Sequence, residues 1–217
     1  MRLINLAIKR IFDILVSFIG CVILLIPFVI LAAAIKVDSK GPVFFLQQRL
    51  GKKGKTFKIF KLRTMVQNAE NLGKGITVSS ESDTRITKVG KFLRKTSLDE
   101  LPQLINVLAG TMSLIGPRPP VVYHPYDGYD NYPEWAKKRF EMRPGITGLA
   151  QARVRDSATW DERIVIDNEY IDNFSVWMDI KVVLLTVKTV VKSENMYTDN
   201  EAQSEERDSD VKEHLPM

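Results

Sequence analysis

Residues 14–35 run for 22 positions without a formal charge. As a straight helix this run would be about 33 Å long, enough to cross the hydrocarbon core of a bilayer. Pro27 falls near its middle, where the missing backbone donor and the clash with the preceding turn predict a kink. Lys9 and Arg10 flank one end and Lys36 and Lys40 the other, so the distribution of positive charge selects no direction of crossing. A spanning helix and a re-entrant helix with both basic ends on one side are equally compatible with this pattern. A secretory signal peptide is a third reading, suggested by Ala32-Ala33-Ala34 but opposed by the length of the apolar run and by Asp13 before it.

Beyond this segment the periodicity changes. Val43-Phe44-Phe45-Leu46 is a strand-like apolar run, and Thr56 to Leu62 alternates apolar and basic side chains. Gly51-Lys52-Lys53-Gly54 between them is a turn signal, so a β-hairpin is predicted. Asn68 to Arg85 is polar and reads as a loop or short helix covering a site. Lys88 to Lys95, Leu101 to Leu108, Pro133 to Glu141, Trp160 to Tyr170 and Asp179 to Lys192 carry helical patterns, the last basic and amphipathic, suited to a membrane surface or to the core. Pro117, Pro119, Pro120 and Pro125 exclude regular structure from the segment they occupy, and Arg143-Pro144-Gly145-Ile146-Thr147-Gly148 is a constrained turn. The fold class is therefore α+β, mainly helical, with an N-terminal membrane helix, a small hairpin and amphipathic surface helices. Residues 1–38 form the membrane-associated helix, 39–192 a catalytic domain expected to be cytoplasmic, and 193–217 an acidic tail expected to be disordered.

Charge sharpens this division. The chain carries 31 Lys and Arg against 26 Asp and Glu, of which residues 193–217 hold two and eight. Residues 1–192 thus have 29 basic against 18 acidic side chains, or +11, which favours anionic partners such as lipid headgroups or nucleotide phosphates. Seven basic residues between Arg49 and Arg63 enclose Phe57 and Phe60, a composition that also suits single-stranded nucleic acid. A solvated hairpin beside anionic membrane lipid is the preferred reading, and no nucleic acid is expected as a partner. Cys21 is the only cysteine, which excludes an intrachain disulfide and a cysteine-based zinc site. His124 and His214 have no ligand-spaced neighbour, and no Gly-x-x-x-x-Gly-Lys-[Ser/Thr] loop is present, so histidine-based catalysis and P-loop hydrolysis are not expected.

The densest candidate chemistry is Asp99-Glu100 within Arg94-Lys95-Thr96-Ser97-Leu98-Asp99-Glu100-Leu101-Pro102, followed by Gly116-Pro117-Arg118-Pro119. Taken alone, Ser97 to Glu100 reads as a helix capping box. Pro102 conflicts with that reading, because a helix started at Ser97 would require its missing N–H. Either the helix is distorted or it starts near Pro102. In both cases the two carboxylates lie close to a helix N-terminus that favours a bound phosphate. One carboxylate can act as a nucleophile and the other as a metal ligand or base. Lys61, Arg63, Arg94, Lys95 and Arg118 are the cations able to offset the repulsion between a carboxylate and a phosphate, together with a hard divalent metal.

Six motifs occur in an order that identifies a resemblance. They are Lys9-Arg10-Ile11-Phe12-Asp13, Gly41-Pro42-Val43-Phe44-Phe45, Phe57 to Met65, Ser97-Leu98-Asp99-Glu100-Leu101-Pro102-Gln103-Leu104, Gly116-Pro117-Arg118-Pro119 and Arg143-Pro144-Gly145-Ile146-Thr147-Gly148. From Lys9 to Lys192 the chain resembles the bacterial sugar transferases, small monotopic polyprenyl-phosphate phosphoglycosyl transferases. The resemblance implies transfer of a sugar phosphate from a UDP-sugar to undecaprenyl phosphate with release of UMP, at the cytoplasmic face of the bacterial cell membrane, as the first membrane step of a glycan pathway such as capsule or exopolysaccharide. It implies Asp99 as nucleophile, forming a covalent phosphosugar intermediate, and Glu100 as a Mg²⁺ ligand or an aid to the incoming phosphate. Lys61, Arg94 and Arg118 would hold phosphate oxygens, with Arg63 and Arg155 as further phosphate contacts. Asp167 and Asp179 match acidic positions of the family, whose roles the resemblance leaves open.

Two departures stand out. The family often has Ser before the kink proline, whereas Ile26 precedes Pro27 here. After Gln151 many relatives have Gly-Arg, whereas this chain has Val154-Arg155, and Val does not adopt a glycine-only backbone geometry. The competing function is a non-enzymatic, basic, membrane-bound scaffold of a glycan assembly complex, in which Asp99-Glu100 only caps a helix. The sequence specifies neither the sugar nor the oligomeric state.

Overall fold

A computed structural model of the protein describes residues 2–69, 83–154 and 157–192. Much of the polar loop read from Asn68 to Arg85, Arg155 and the acidic tail lie outside the described residues.

Helix α1 (Arg2–Ile23) and helix α2 (Leu25–Asp38) meet at Leu24 with a bend of 59°. The kink expected at Pro27 thus lies three residues earlier. Pro27 has no N–H to offer the Ile23 carbonyl and its ring crowds that carbonyl, so the helix opens one turn before the proline. Leu24 N donates to Gly20 O at 2.9 Å and Phe28 N donates to Leu24 O at 2.8 Å, which closes the ladder on either side. Pro27 then sits in the first turn of α2, where proline is tolerated. No single described helix is long and apolar enough to cross a membrane, while the bent pair meets that test together by length and composition.

The face α1 turns inward is its polar one. Lys9, Asp13 and Ser17 recur every four residues and are buried against the rest of the fold. Phe12 and Phe18, 64% and 61% exposed, lie on the other side among Leu3, Ile4, Ile11 and Ile19.

Strands β1 (Phe44–Leu50) and β2 (Thr56–Leu62) form the predicted antiparallel hairpin, in register from Phe44 opposite Leu62 to Leu50 opposite Thr56. Its turn is a 3₁₀ segment, Lys52–Gly54, with left-handed backbone at Lys53 and Gly54. Phe57 packs against the cluster of Ile59, Val107 and Met112, and Phe60 meets Phe44 edge to face at 6.4 Å between ring centroids. Helix α3 (Lys88–Lys95) begins at Thr87, whose hydroxyl accepts from Gly90 N at 2.9 Å, and Val89 N donates to Asp38 at the end of α2.

The capping box read at Ser97 is absent. Ser97 adopts a left-handed conformation (φ 56°) with no side-chain cap, Leu98–Glu100 form a 3₁₀ turn, and helix α4 (Gln103–Leu108) starts after Pro102. A reciprocal box does occur, at Thr159 and Glu162, opening helix α7 (Trp160–Asp172).

A second sheet, not evident from the sequence, is a parallel pair of β3 (Ser113–Ile115) and β4 (Gly145–Thr147). It joins the two proline-glycine motifs. Gly145 N donates to Pro117 O at 3.0 Å and Gly116 N donates to Thr147 O at 2.9 Å. A Cβ on Gly145 would collide with Gly116 N and one on Gly116 with Arg143 O, so both positions require glycine. The predicted helix over 133–141 is divided into α5 (Glu134–Lys137) and a 3₁₀ turn. Helix α6 (Leu149–Val154) precedes α7, and helix α8 (Val176–Lys192) closes the described fold. The main core gathers Ile115, Met142, Leu149, Tyr170, Ile171, Phe174 and Val182 between β3 and helices α6–α8. Helix α8 buries Val182 in that core and leaves Trp177 and Leu184, 73% and 65% exposed, on its outer side.

Candidate active site

The 3₁₀ turn carries Asp99 and Glu100 between the end of α3 and the start of α4. The left-handed step at Ser97 reverses the chain and presents both carboxylates to β2 and to the turn that follows β3. Glu100 is gripped from two directions: Lys61 Nζ, from β2, donates to its Oε1 at 2.6 Å, and Arg118 Nη2 donates to the same oxygen at 3.3 Å. Burial alone would raise the Glu100 pKa, but Arg118 and Lys61 more than offset it and hold the carboxylate at about 2. The other oxygen of Glu100 makes no hydrogen bond among the described residues.

Asp99 differs from its neighbour. It forms no ion pair among the described residues, and burial raises its pKa, against the attraction of Lys61 and Arg94. It sits in the field of cations without being bonded to one.

The pair divides two cavities. Asp99, Lys61, Phe44 and Phe45 line one of about 510 Å³. Glu100, Arg118, Gln151, Trp160 and Asp167 line another of about 450 Å³. Arg94, anchored by Nε donation to Thr64 Oγ1 at 3.0 Å, lines both.

The structure brings Lys61, Arg94, Arg118, Asp99 and Glu100 together, and reassigns others. Arg63 lines the Asp99 cavity, but its guanidinium is committed elsewhere. It donates to Ser39 O at 2.7 Å, Lys40 O at 3.0 Å and Ile35 O at 3.3 Å, so it caps the C-terminus of α2. The free carbonyls of that helix end draw the cation that sequence spacing assigned to phosphate. Asp179 lies outside both cavities. Its Oδ2 accepts from Lys9 Nζ at 2.8 Å and its Oδ1 from the Tyr170 hydroxyl at 2.6 Å, which ties α1 to α7 and α8.

Asp167 lines the Glu100 cavity and acts on the site indirectly. Its Oδ2 accepts from Arg139 Nη2 at 2.8 Å, and the same nitrogen donates to the Arg118 carbonyl at 2.7 Å. Burial pushes the Asp167 carboxyl up to about 6, against the pull of Arg139. Arg49 holds the adjoining residue, donating from Nη1 to Pro119 O at 3.0 Å. Arg118 is thus fixed from both sides, by Arg139 at its own carbonyl and by Arg49 one residue on. Burial, followed by repulsion from Arg118, lowers Arg49 to about 10.

Arg139 and Trp160 are site residues that the sequence reading missed. Arg139 is 2% exposed, with its guanidinium 5.5 Å from the Trp160 ring centre and 5.7 Å from that of Phe140. Residues 133–141 carry only a helical pattern in the sequence, and nothing local distinguishes a buried arginine there. Arg49 was read as part of the headgroup-facing hairpin. Its position at the inner end of β1, opposite Phe57, was the only signal that it points into the fold.

Comparison with known proteins places the chain that builds this site in a family. Residues 4–193 match the family model described as bacterial sugar transferase, and the chain belongs to that family. It is 44% identical over 197 residues to galactosyl transferase CpsE of Streptococcus agalactiae serotype III (strain NEM316), covering 86% of this chain and 43% of that protein. It is 45% identical over 191 residues to the UDP-glucose:undecaprenyl-phosphate glucose-1-phosphate transferase of Escherichia coli (strain K12), covering 85% and 40%. It is 39% identical over 199 residues to the uncharacterized sugar transferase EpsL of Bacillus subtilis (strain 168), covering 91% and 94%. The chain therefore spans about two fifths of the first two relatives and nearly all of the third.

Proposed function

We propose that this chain transfers a sugar phosphate from a UDP-sugar to undecaprenyl phosphate, releasing UMP, through a phosphosugar bound covalently to Asp99. The observation that carries this reading is the unequal treatment of two adjacent carboxylates. Glu100 is locked by Lys61 and Arg118, while Asp99, which lines a cavity, has no ion-pair partner among the described residues. A carboxylate oxygen of Asp99 attacks the sugar-bearing phosphorus, and the bond to the UMP oxygen breaks with its electron pair leaving on UMP. An oxygen of the polyprenyl phosphate then attacks the same phosphorus, and the acyl-phosphate bond breaks to restore the carboxylate. Lys61, Arg94 and Arg118 hold phosphate oxygens throughout, so that charge developing on them meets fixed cations.

The residues present fit Mg²⁺. Among the described residues no three His, Cys, Asp or Glu cluster to form a metal cage. Mg²⁺ is usually held by one or two carboxylates together with substrate phosphates, and the unbonded oxygen of the ionised Glu100 meets that need. When bound, the ion would neutralise diphosphate charge and orient the leaving oxygen.

The same reading places α1 and α2 in the cytoplasmic leaflet of the cell membrane as a re-entrant pair. Lys9 and Asp13 dock α1 on the domain, while Ile35 and Asp38 dock α2 on the same domain. Two helices tied at both ends to one body turn back rather than cross. Their outward apolar faces, and the exposed row on α8, meet lipid.

Incubation with Mg²⁺, undecaprenyl phosphate and a panel of UDP-sugars should release UMP. Release of UDP instead would refute the proposed chemistry.

A further inference from the structure

The two cavities that meet at the Asp99–Glu100 turn differ in how completely their buried polar atoms are paired. The Asp99 side mixes the apolar hairpin residues Phe44, Phe45 and Leu62 with Lys61, Arg49 and Arg63, and there only Nε of Arg49 and Nε of Arg63 are buried without a hydrogen-bond partner among the described residues. The Glu100 side leaves more unpaired, donors and acceptors alike. Among the described residues, buried side-chain atoms without a hydrogen-bond partner include Nε and Nη1 of Arg139, Oδ1 of Asp167 and Oε1 of Gln151, and all three residues line that cavity. Arg139 and Asp167 have side chains only 1% and 2% exposed. Buried polar atoms are paired in the great majority of cases, so such a concentration around one cavity points to a polar ligand.

The direction of the chemistry says which part of the donor this is. In a displacement at phosphorus, the leaving oxygen departs roughly opposite the attacking one. Asp99 attacks from the other cavity, Arg94 lines both, and Arg118 and Glu100 line the Glu100 side, so the phosphates are expected where the two meet. The leaving nucleotide therefore extends into the Glu100 side. Building on the transfer proposed above, we infer that this cavity is the uridine subsite, in which Arg139, Asp167 and Gln151 recognise the polar edges of the nucleoside beside Trp160. Uracil offers one N–H between two carbonyls, and ribose offers two hydroxyls. The oxygens of Gln151 and Asp167 accept from the N–H and hydroxyl groups, and Arg139 donates to a carbonyl. The volume of about 450 Å³ suits a nucleoside with the start of its phosphate chain. The sugar, attached to the phosphorus that Asp99 attacks, remains on the Asp99 side.

Calorimetric titration of the whole chain in lipid nanodiscs, with UMP and glucose 1-phosphate as probes, tests this assignment. Gln151→Leu and Trp160→Leu, both at half-buried positions, should each weaken UMP binding about tenfold. Glucose 1-phosphate binding should change less than twofold. Phe45→Leu, in the other cavity, should leave UMP affinity unchanged. The assignment is overturned if both Glu100-side variants bind UMP like the unaltered chain, if they lose glucose 1-phosphate instead, or if the unaltered chain binds no UMP at millimolar concentration. UMP release from the UDP-sugar panel by the unaltered chain separates the two ideas. Release together with unchanged UMP affinity in the variants overturns the subsite alone, whereas no release from any donor overturns the transfer and the subsite with it.

Discussion

The seam between α1 and the domain and the turn at Asp99–Glu100 both bury charge, and they treat it in opposite ways. At the seam, Asp13 takes the Ser113 hydroxyl at 2.7 Å and Leu114 N at 3.1 Å, and Asp179 takes Lys9 and the Tyr170 hydroxyl. Each of these carboxylates has both oxygens engaged. At the turn, among the described residues, one carboxylate holds two cations and its neighbour holds none. Charge buried to hold two elements together is paired, because an unpaired buried charge is costly. Charge buried to react must keep a lone pair free, and the fold tolerates the cost at that point by surrounding it with cations.

The strongest way to break this contrast is Asp99→Asn. UMP release should fall by about a thousandfold or more, with loss of the covalent adduct, because among the described residues no other Asp or Glu lines that cavity. Near-normal turnover would remove Asp99 as nucleophile. The same variant carries a stability prediction of opposite sign. A carboxylate whose folded pKa is raised stabilises fully only below its unfolded pKa, and that contribution is lost as pH rises through the folded pKa. At neutral pH the neutral Asn should therefore raise the thermal midpoint.

At the seam the expected loss is structural. Asp179→Ala leaves Lys9 buried and unpaired and should cost about 3–5 kcal/mol. The double variant Lys9→Met with Asp179→Leu should recover much of it. Thermal unfolding in nanodiscs measures both, and a double variant no more stable than Asp179→Ala would contradict the view that the pair is replaceable scaffolding.

The pH profile of UMP release offers a finer distinction. Glu100 stays ionised down to about 2, whereas Asp99 is raised above the ordinary value of 3.8. Falling pH protonates Asp99 first, so the acid limb of kcat/KM should lie above 3.8; a limb at or below that value would mean that Glu100, not Asp99, sets it. The smallest effects compare two hydroxyl residues. Thr159→Ala removes a true cap and should cost about 1 kcal/mol. Ser97→Gly relieves a left-handed conformation without losing a cap and should stabilise by up to about 1 kcal/mol.

Where a feature depended on neighbours in sequence, it was legible. The hairpin register follows from alternation around Gly51–Gly54, α3 coincides with the helical stretch read at Lys88–Lys95, and Asp99-Glu100 stood out before Pro102. Features that depended on distant partners were not. Arg63 and Arg49 occupy the same basic hairpin, yet one caps α2 and the other braces Pro119, because the helix end and the proline turn arrive from 23 and 70 residues away. Nothing in the sequence near Arg139 marks it as buried, because its partner Asp167 comes from α7, 28 residues away. The kink moved from Pro27 to Leu24 for a local reason, the Ile23 carbonyl that proline leaves unpaired.

By itself, then, the chain determines its elements, its membrane-suited apolar run, its candidate Asp99-Glu100 dipeptide and its membership of a family, since these rest on side-chain order and backbone chemistry within a few residues. Tertiary structure alone decided which cations surround the carboxylates, which of the two carboxylates is left free, and which way α1 faces. Burial and pairing are properties of what the fold brings together, and the value of a charge changes with the partner that reaches it.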